Sequence, residues 1–268
     1  MAAARAFPRG KQVIDTLLSG DRPRSRVLAV ILVAVLLGLA LAPFIFPGTR
    51  SLNVAAKVMV FIVLVASYDL LLGYTGIVSF AHTMFFGIGG YGIGIASAKL
   101  GATWTNLAFG TVLALALSAV IALAVGALSL RVKAIFFAMI TLAVASFFQI
   151  LASQLSGLTG GEDGLNYRLP ELLLPGTQFL QEPFLGVDVN GRLVSYYLVF
   201  FCSLALFLLL LRVVNSPFGR VLLSIRENEF RSEALGYRTV AYRTVANVIS
   251  ALVATAAGVL YALWLRYT

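Results

Sequence analysis

LGATWTNLAFGTVLALALSAVIALAVGALSL, Leu100 to Leu130, runs for thirty-one residues without a charge. About 20 apolar residues suffice to cross the roughly 30 Å hydrocarbon core of a bilayer. The pattern recurs in Val27–Thr49, Leu70–Ala98, Ala134–Gly161, Leu193–Leu211 and Thr244–Leu265, all free of Asp, Glu, Lys and Arg. A further span at Leu52–Leu72 carries Lys57 near one end, where its stem can snorkel, and Asp69 near the other. Composition agrees: 60% of residues are hydrophobic, 12% are charged, and the mean hydropathy is +0.95, whereas soluble domains carry about 25% charge. One Cys and 24 Gly without a repeat exclude disulfide and collagen scaffolds. The expected fold is an all-α membrane protein, a polytopic transmembrane helical bundle of about seven spans.

Charge placement orients that bundle. The net charge is +9, which in a soluble protein would suggest nucleic acid. Here the basic residues cluster between spans: Arg5, Arg9, Lys11, Arg22, Arg24 and Arg26 before the first, Arg131 and Lys133 between the fourth and fifth, and Arg212, Arg220, Arg226, Arg231, Arg238 and Arg243 between the sixth and seventh. If spans alternate, all three clusters share one side. The loop at 156–192 is opposite and acidic, with Glu162, Asp163, Glu171, Glu182 and Asp188 against Arg168 and Arg192. The positive-inside rule then gives a basic cytoplasmic N-terminal segment (1–26), a membrane domain (27–268), a cytoplasmic loop at about 212–243 and a periplasmic loop at about 156–192. The basic segments also suit anionic membrane lipid, and nucleic acid is not expected. A signal-peptide reading of the start places cleavage at Ala40-Leu41-Ala42, but Pro43 follows and the apolar run continues to Phe46.

Several chemistries are excluded by spacing. Gly87-Ile88-Gly89-Gly90-Tyr91-Gly92 matches GxGxxG only formally: it lies in a span, and the next acidic residue is Glu162. Gly10-Lys11 lacks the upstream glycine of a P-loop, so the chain carries no ATPase motif of its own. One His and one Cys, Cys202 inside the sixth span, do not make a metal site. Ser79 and His82 fall one helical turn apart but have no third orienting group for hydrolysis. A retinal Schiff base fails for want of a Lys in the last span. No cofactor is expected.

The segment DLLLGYTGIVSFAHTMFFGIGGYGIG, Asp69–Gly94, holds seven glycines in 22 residues. Close helix packing explains Gly90 and Gly94. Gly73-Tyr74-Thr75-Gly76 falls where one span ends and the next begins, and two readings stand there: a cytoplasmic turn, or a broken helix lining a cavity. In the second, Tyr74, Thr75, Ser79, His82 and Thr83 supply polar contacts to a solute, with Phe85 and Phe86 as apolar wall. For His82 a functional role and a structural hydrogen bond to a neighbouring helix compete. In the cytoplasmic segment, Ser216 caps a helix with Pro217 at its first position, and Gly236 ends a following one. Val221, Leu222, Ile225, Phe230, Ala234 and Leu235 repeat at roughly helical spacing among charges. Such an amphipathic element suits a soluble partner, and equally a solvated or lipid-facing loop.

Four ordered blocks carry a resemblance: Ser67–Gly94, Lys133–Leu142 (KAIFFAMITL), Leu158–Leu165 (LTGGEDGL) and Ser216–Gly236 (SPFGRVLLSIRENEFRSEALG). Together they resemble the LivM-type permease subunits of ABC importers for branched-chain amino acids, from about the second span to the end of the chain. The resemblance implies a multi-pass protein of the bacterial inner membrane. Its implied partners are a LivH-type permease, two cytoplasmic ABC ATPase subunits and a periplasmic binding protein, with ATP hydrolysis outside this chain. Glu233, Ala234 and Gly236 match the EAA-type coupling loop that docks on the ATPase, and Gly219, Arg220, Arg226 and Glu227 belong to the same element. Family members continue beyond a seventh span, so the chain reads as lacking their C-terminal helices. The competing classes are a self-sufficient secondary transporter or channel, which would want intramembrane carboxylates beyond Asp69, and a nonconducting membrane scaffold.

Overall fold

The computed structural model describes residues 25–46, 48–129, 134–178 and 189–268. The basic segment before Ser25, the Arg131/Lys133 pair, and Glu182 and Asp188 of the long loop lie outside the described residues. The helices are α1 (Arg26–Ile45), α2 (Thr49–Thr75), α3 (His82–Leu100), α4 (Trp104–Ser129), α5 (Ala134–Gln154), a single turn α6 (Ser156–Thr159), α7 (Gly191–Val214), α8 (Pro217–Glu227), α9 (Glu229–Ala234) and α10 (Thr239–Leu265). Among the described residues, six helices are long and apolar enough to cross a membrane: α1, α2, α4, α5, α7 and α10. The chain is an all-α polytopic membrane protein.

The expected span missing from these six is the third, α3, and it differs from the others. The expectation that it starts near Leu70 fails, because α2 continues through Gly73 and Tyr74 to Thr75 and stops at Gly76 in the left-handed conformation (φ 73°). Residues 76–81 are non-helical, and α3 begins only at His82. Glycine also dilutes its apolar character, yet both its faces are packed. Gly89 and Gly258 bring α3 and α10 to backbone contact: a methyl at Gly89 would overlap the Thr255 carbonyl, and one at Gly258 the Phe86 carbonyl. Gly92 meets Gly110 and Ala114 of α4 in the same way.

α10 is therefore the axis of the bundle, with α3, α4 and α2 around it. Ala251, Ala254, Ala257 and Ala262 are fully buried along it. Small residues let helices approach closely where lipid tails offer no hydrophobic drive to associate, and polar side chains add interhelical bonds. Asn247 Nδ2 donates to the Ala122 carbonyl at 2.8 Å, and Thr255 Oγ1 to Ser118 Oγ at 2.7 Å. These pairs run α10 antiparallel to α4, whereas the contacts of His82 with Ser250 and of Gly90 with Ala262 run it parallel to α3. Tyr196 and Tyr197 of α7 donate to the Leu39 and Ala40 carbonyls and so hold α1. The outer faces of α1 and α5 are mostly exposed apolar side chains, as a lipid- or partner-facing surface requires.

The two ends of the bundle differ. At one end, the loop before α7 folds over the helices: Tyr167 is buried and its hydroxyl donates to the Ala262 carbonyl at 2.7 Å. Burial pushes the Tyr167 phenol well above its ordinary range, partly offset by the Arg266 charge. At the other end lie the start of α1, the end of α4, the start of α5, and the whole of α8 and α9.

Backbone contact leaves no slack at the α3–α10 seam. Gly258→Val should cost about 1–3 kcal/mol or more by overpacking and lower the thermal midpoint in detergent, while Gly38→Ala, with open space around it, should leave that midpoint unchanged or slightly raised.

Candidate functional site: a cavity at a broken helix

Ser67 locates the start of α3. Its hydroxyl lies 2.9 Å from His82 Nε2, and α2 continues eight residues beyond it to Thr75, about 12 Å at 1.5 Å per residue. The connector 76–81 therefore turns back into the bundle, and α3 starts inside it rather than at its end. Non-helical backbone at such depth survives only where protein or a cavity satisfies it. One tie is visible: the Phe80 amide donates to Thr141 Oγ1 of α5 at 3.1 Å. The N-cap of α3 is Ala81, which offers no capping side chain, so first-turn amides have no partner within the helix.

A cavity of about 860 Å³ lies against this break, between α2, the connector, α3 and α5. Its polar lining includes Tyr68, Ser79, His82, Thr83, Ser146 and Gln149. Leu64, Met84 and Phe148 give it apolar walls. Of the sequence-derived solute-path residues, Ser79, His82 and Thr83 meet here. Tyr74 and Thr75 lie in the last turn of α2, where Thr75 Oγ1 donates to the Leu71 carbonyl at 2.6 Å. Phe85 is buried in a core with Ala81, Met84 and Ile88. Phe86 stacks beside Phe61 and Tyr261, with ring centroids 6.2 and 5.3 Å away. These four are not among the residues lining the cavity.

His82 is buried, with Tyr68 edge-on to its ring at 5.2 Å. Besides Ser67, Ser250 of α10 approaches Nε2 at 3.4 Å. Sequence reasoning missed Ser67, Tyr68, Ser250 and Gln149. The helical phase of Ser67 and Tyr68 toward the core was readable, but their distance from His82 depended on where α3 began. Among the described residues, no group of three metal-ligating side chains occurs.

The cytoplasm-assigned element is built as its sequence implies. Ser216 Oγ accepts from the Gly219 amide, with Pro217 opening α8. Leu222 and Ile225 are buried, and Phe218 stacks on Tyr242 with centroids 5.7 Å apart. A side chain at Gly219 would overlap the Val214 carbonyl, so the turn from α7 into α8 requires glycine. Arg226 donates to the Gly73 carbonyl, tying α8 to the end of α2. Arg220 and Glu227 are exposed. Asn228 caps α9 by accepting from the Arg231 amide at 2.9 Å. α9 ends in a Schellman motif: Gly236 N donates to Glu233 O at 2.8 Å, Tyr237 N to Ser232 O at 3.1 Å, and Gly236 has φ 91°. Glu233 accepts from Thr239 Oγ1 at 2.8 Å, Arg243 pairs with Glu229, and Ala234 is exposed. Phe230 and Leu235 project outward, 86% and 68% exposed.

A family described as "Branched-chain amino acid transport system / permease component" matches residues 50–267. The chain belongs to this family. Among curated proteins it is 28% identical to the high-affinity branched-chain amino acid transport system permease protein LivM of Salmonella typhimurium, over 79% of this chain and 52% of that one. To the LivM protein of Escherichia coli it is 26% identical, over 94% of this chain and 61% of the relative. A probable LivM of Methanocaldococcus jannaschii is 27% identical over 57% of this chain and 42% of its own. The chain thus spans about half to three-fifths of the length of the two bacterial relatives. No solved structure matches it. The family match includes both the broken helix and the α8–α9 element.

Thr141 is the acceptor that holds the connector. Thr141→Val leaves the Phe80 amide without this partner, a loss of about 1 kcal/mol for a part-buried hydrogen bond. Hydrogen–deuterium exchange of peptides covering 77–81 should accelerate in this variant, while exchange in α10 stays unchanged.

Proposed function

We propose that this chain is a membrane-spanning permease subunit of an ATP-driven ABC importer in the bacterial inner membrane, carrying branched-chain or related amino acids. The observation that carries this reading is the α8–α9 element. It anchors apolar side chains in the bundle through Leu222 and Ile225, reaches the end of α2 through Arg226, and presents Phe230 and Leu235 to the outside. Exposed aromatic and aliphatic residues on a capped, rigidly turned element suit a protein partner. In the family this is where an ATPase subunit docks. Gly219, Arg220, Arg226, Glu227, Glu233, Ala234 and Gly236 form the coupling element, and the two ATPase subunits supply the P-loops that this chain does not contain.

The partners are a LivH-type permease completing the pathway and a periplasmic binding protein delivering solute at the end covered by the 156–192 loop. Closure of the ATPase pair would push α8–α9. Because Arg226 holds the Gly73 carbonyl, that push reaches α2, whose Ser67 bonds His82 beside the cavity. The cavity against the broken helix is the solute path: first-turn amides of α3 offer donors to a carboxylate, and Leu64, Met84 and Phe148 receive an aliphatic side chain.

The test is co-purification of the tagged chain from native membranes in mild detergent. The wild type should recover a P-loop ATPase and a second permease. Phe230→Ser combined with Leu235→Ser should abolish ATPase recovery while insertion persists, and Gly236→Val, which strains a left-handed backbone by about 1–2 kcal/mol, should weaken it. An inserted wild-type chain that comes down alone would refute the assignment, as would the double variant retaining its ATPase.

A further inference from the structure

Two residues that line the cavity each carry a buried polar atom with no hydrogen-bond partner: Ser79 Oγ and His82 Nδ1. Both residues line it, and both are more than nine-tenths buried, with relative exposures of 2% and 7%. Leaving a buried polar atom unpaired costs about 1–3 kcal/mol, so two beside one cavity mark a place built for something that completes them.

The protonation pattern around His82 fixes what that something is. Ser67 Oγ donates its hydrogen to the Leu64 carbonyl at 2.7 Å. Ser250 Oγ donates its hydrogen to the Ser67 carbonyl. A carbonyl can only accept, so both hydroxyl hydrogens are spent and both oxygens face Nε2 as acceptors. Nε2 must carry the ring proton. In a neutral imidazole the other nitrogen is then a bare acceptor. The ring's partners are hydroxyls rather than carboxylates, which favours the neutral form at this depth. The site therefore offers an acceptor, Nδ1, beside a helix end that offers donors.

Resting on the permease reading above, we infer that His82 Nδ1 is the hydrogen-bond acceptor that reads the ammonium group of the passing amino acid, with Ser67 and Ser250 fixing the ring's tautomer. Ser79 Oγ is a second acceptor beside it. The first turn of α3 takes the carboxylate, and the apolar walls take the side chain. Both acceptor atoms are shut off from solvent, so the subsite is closed in this conformation and opens when its walls part. A carboxylate lacking an ammonium group leaves Nδ1 unsatisfied and is rejected on that account.

The test exploits the fact that the chain has one histidine. The full-length chain, labelled with ¹⁵N-histidine and assembled in nanodiscs with its co-purifying partners, reports His82 alone. Nδ1 should resonate as an unprotonated nitrogen and shift when leucine is added, but not with isocaproate, which is leucine's skeleton without the ammonium group. Two substitutions separate binding from scaffolding. His82→Gln places an amide donor near the Nε2 position and keeps the Ser67 contact, but removes the acceptor. His82→Asn places an amide oxygen near Nδ1 and gives up that contact. Loss of a bond to a charged group predicts roughly tenfold to a hundredfold lower kcat/KM for leucine uptake in the Gln variant, with the Asn variant closer to wild type. Ser79→Ala breaks no existing bond and should lower leucine uptake while leaving assembly intact. A protonated Nδ1, a label indifferent to leucine, or the reverse order of the Gln and Asn variants overturns the subsite. Normal ATP-driven uptake with a silent label sinks the subsite and spares the permease reading. A leucine-dependent shift without ATP-driven uptake does the opposite.

Discussion

The backbone contact between α3 and α10 is the constraint on which the rest depends. Two parallel helices at that distance require glycine where they touch, and Gly89 and Gly258 supply it. Once α3 is pressed onto α10, Gly92 can meet α4 and His82 can reach Ser250. The loop at the opposite end, pinned by Tyr167 to the Ala262 carbonyl, then closes over the same pair. Replacing glycine by a bulkier residue would move the cavity wall as well as the core.

The second constraint is the interruption before α3. A bilayer penalises unpaired backbone, so a helix that begins at depth must find partners for its connector and its first turn. For the connector, the Phe80 amide finds Thr141 and the Ile77 amide reaches back to the Leu71 carbonyl at 3.3 Å. Ser79 Oγ and His82 Nδ1 stay unpaired, on residues that line the cavity beside the break. Ser79, Phe80, His82 and Thr83 thus both belong to the break and line the cavity.

Much of this was legible in the amino acids. Charge-free runs gave the long helices, and Ser216, Pro217 and Gly236 marked the caps of α8 and α9 because capping is local chemistry. The start of α3 was not legible. An unbroken apolar run from Leu70 to Ala98 carries no sign of where helical hydrogen bonds stop, and Gly73 is helical whereas Gly76 is not. Which side chains met His82 depended on that boundary, so Ser67 and Ser250 went unrecognised. Proximity in sequence puts Phe85 and Phe86 in the cavity wall, yet helical phase turns Phe85 into the core and Phe86 onto Phe61 and Tyr261.

Tight glycine seams also have a mechanical meaning. Side chains between helices act as short springs, able to change rotamer and absorb a shift. Where Gly89 and Gly258 meet the facing backbone there are none, so α3 and α10 are held there as one stiff block. Compliance must then come from parts that touch this block less, such as α5, which the Phe80 amide holds at Thr141. A stroke delivered at α8 would bend the assembly around that block, much as a door turns on its frame.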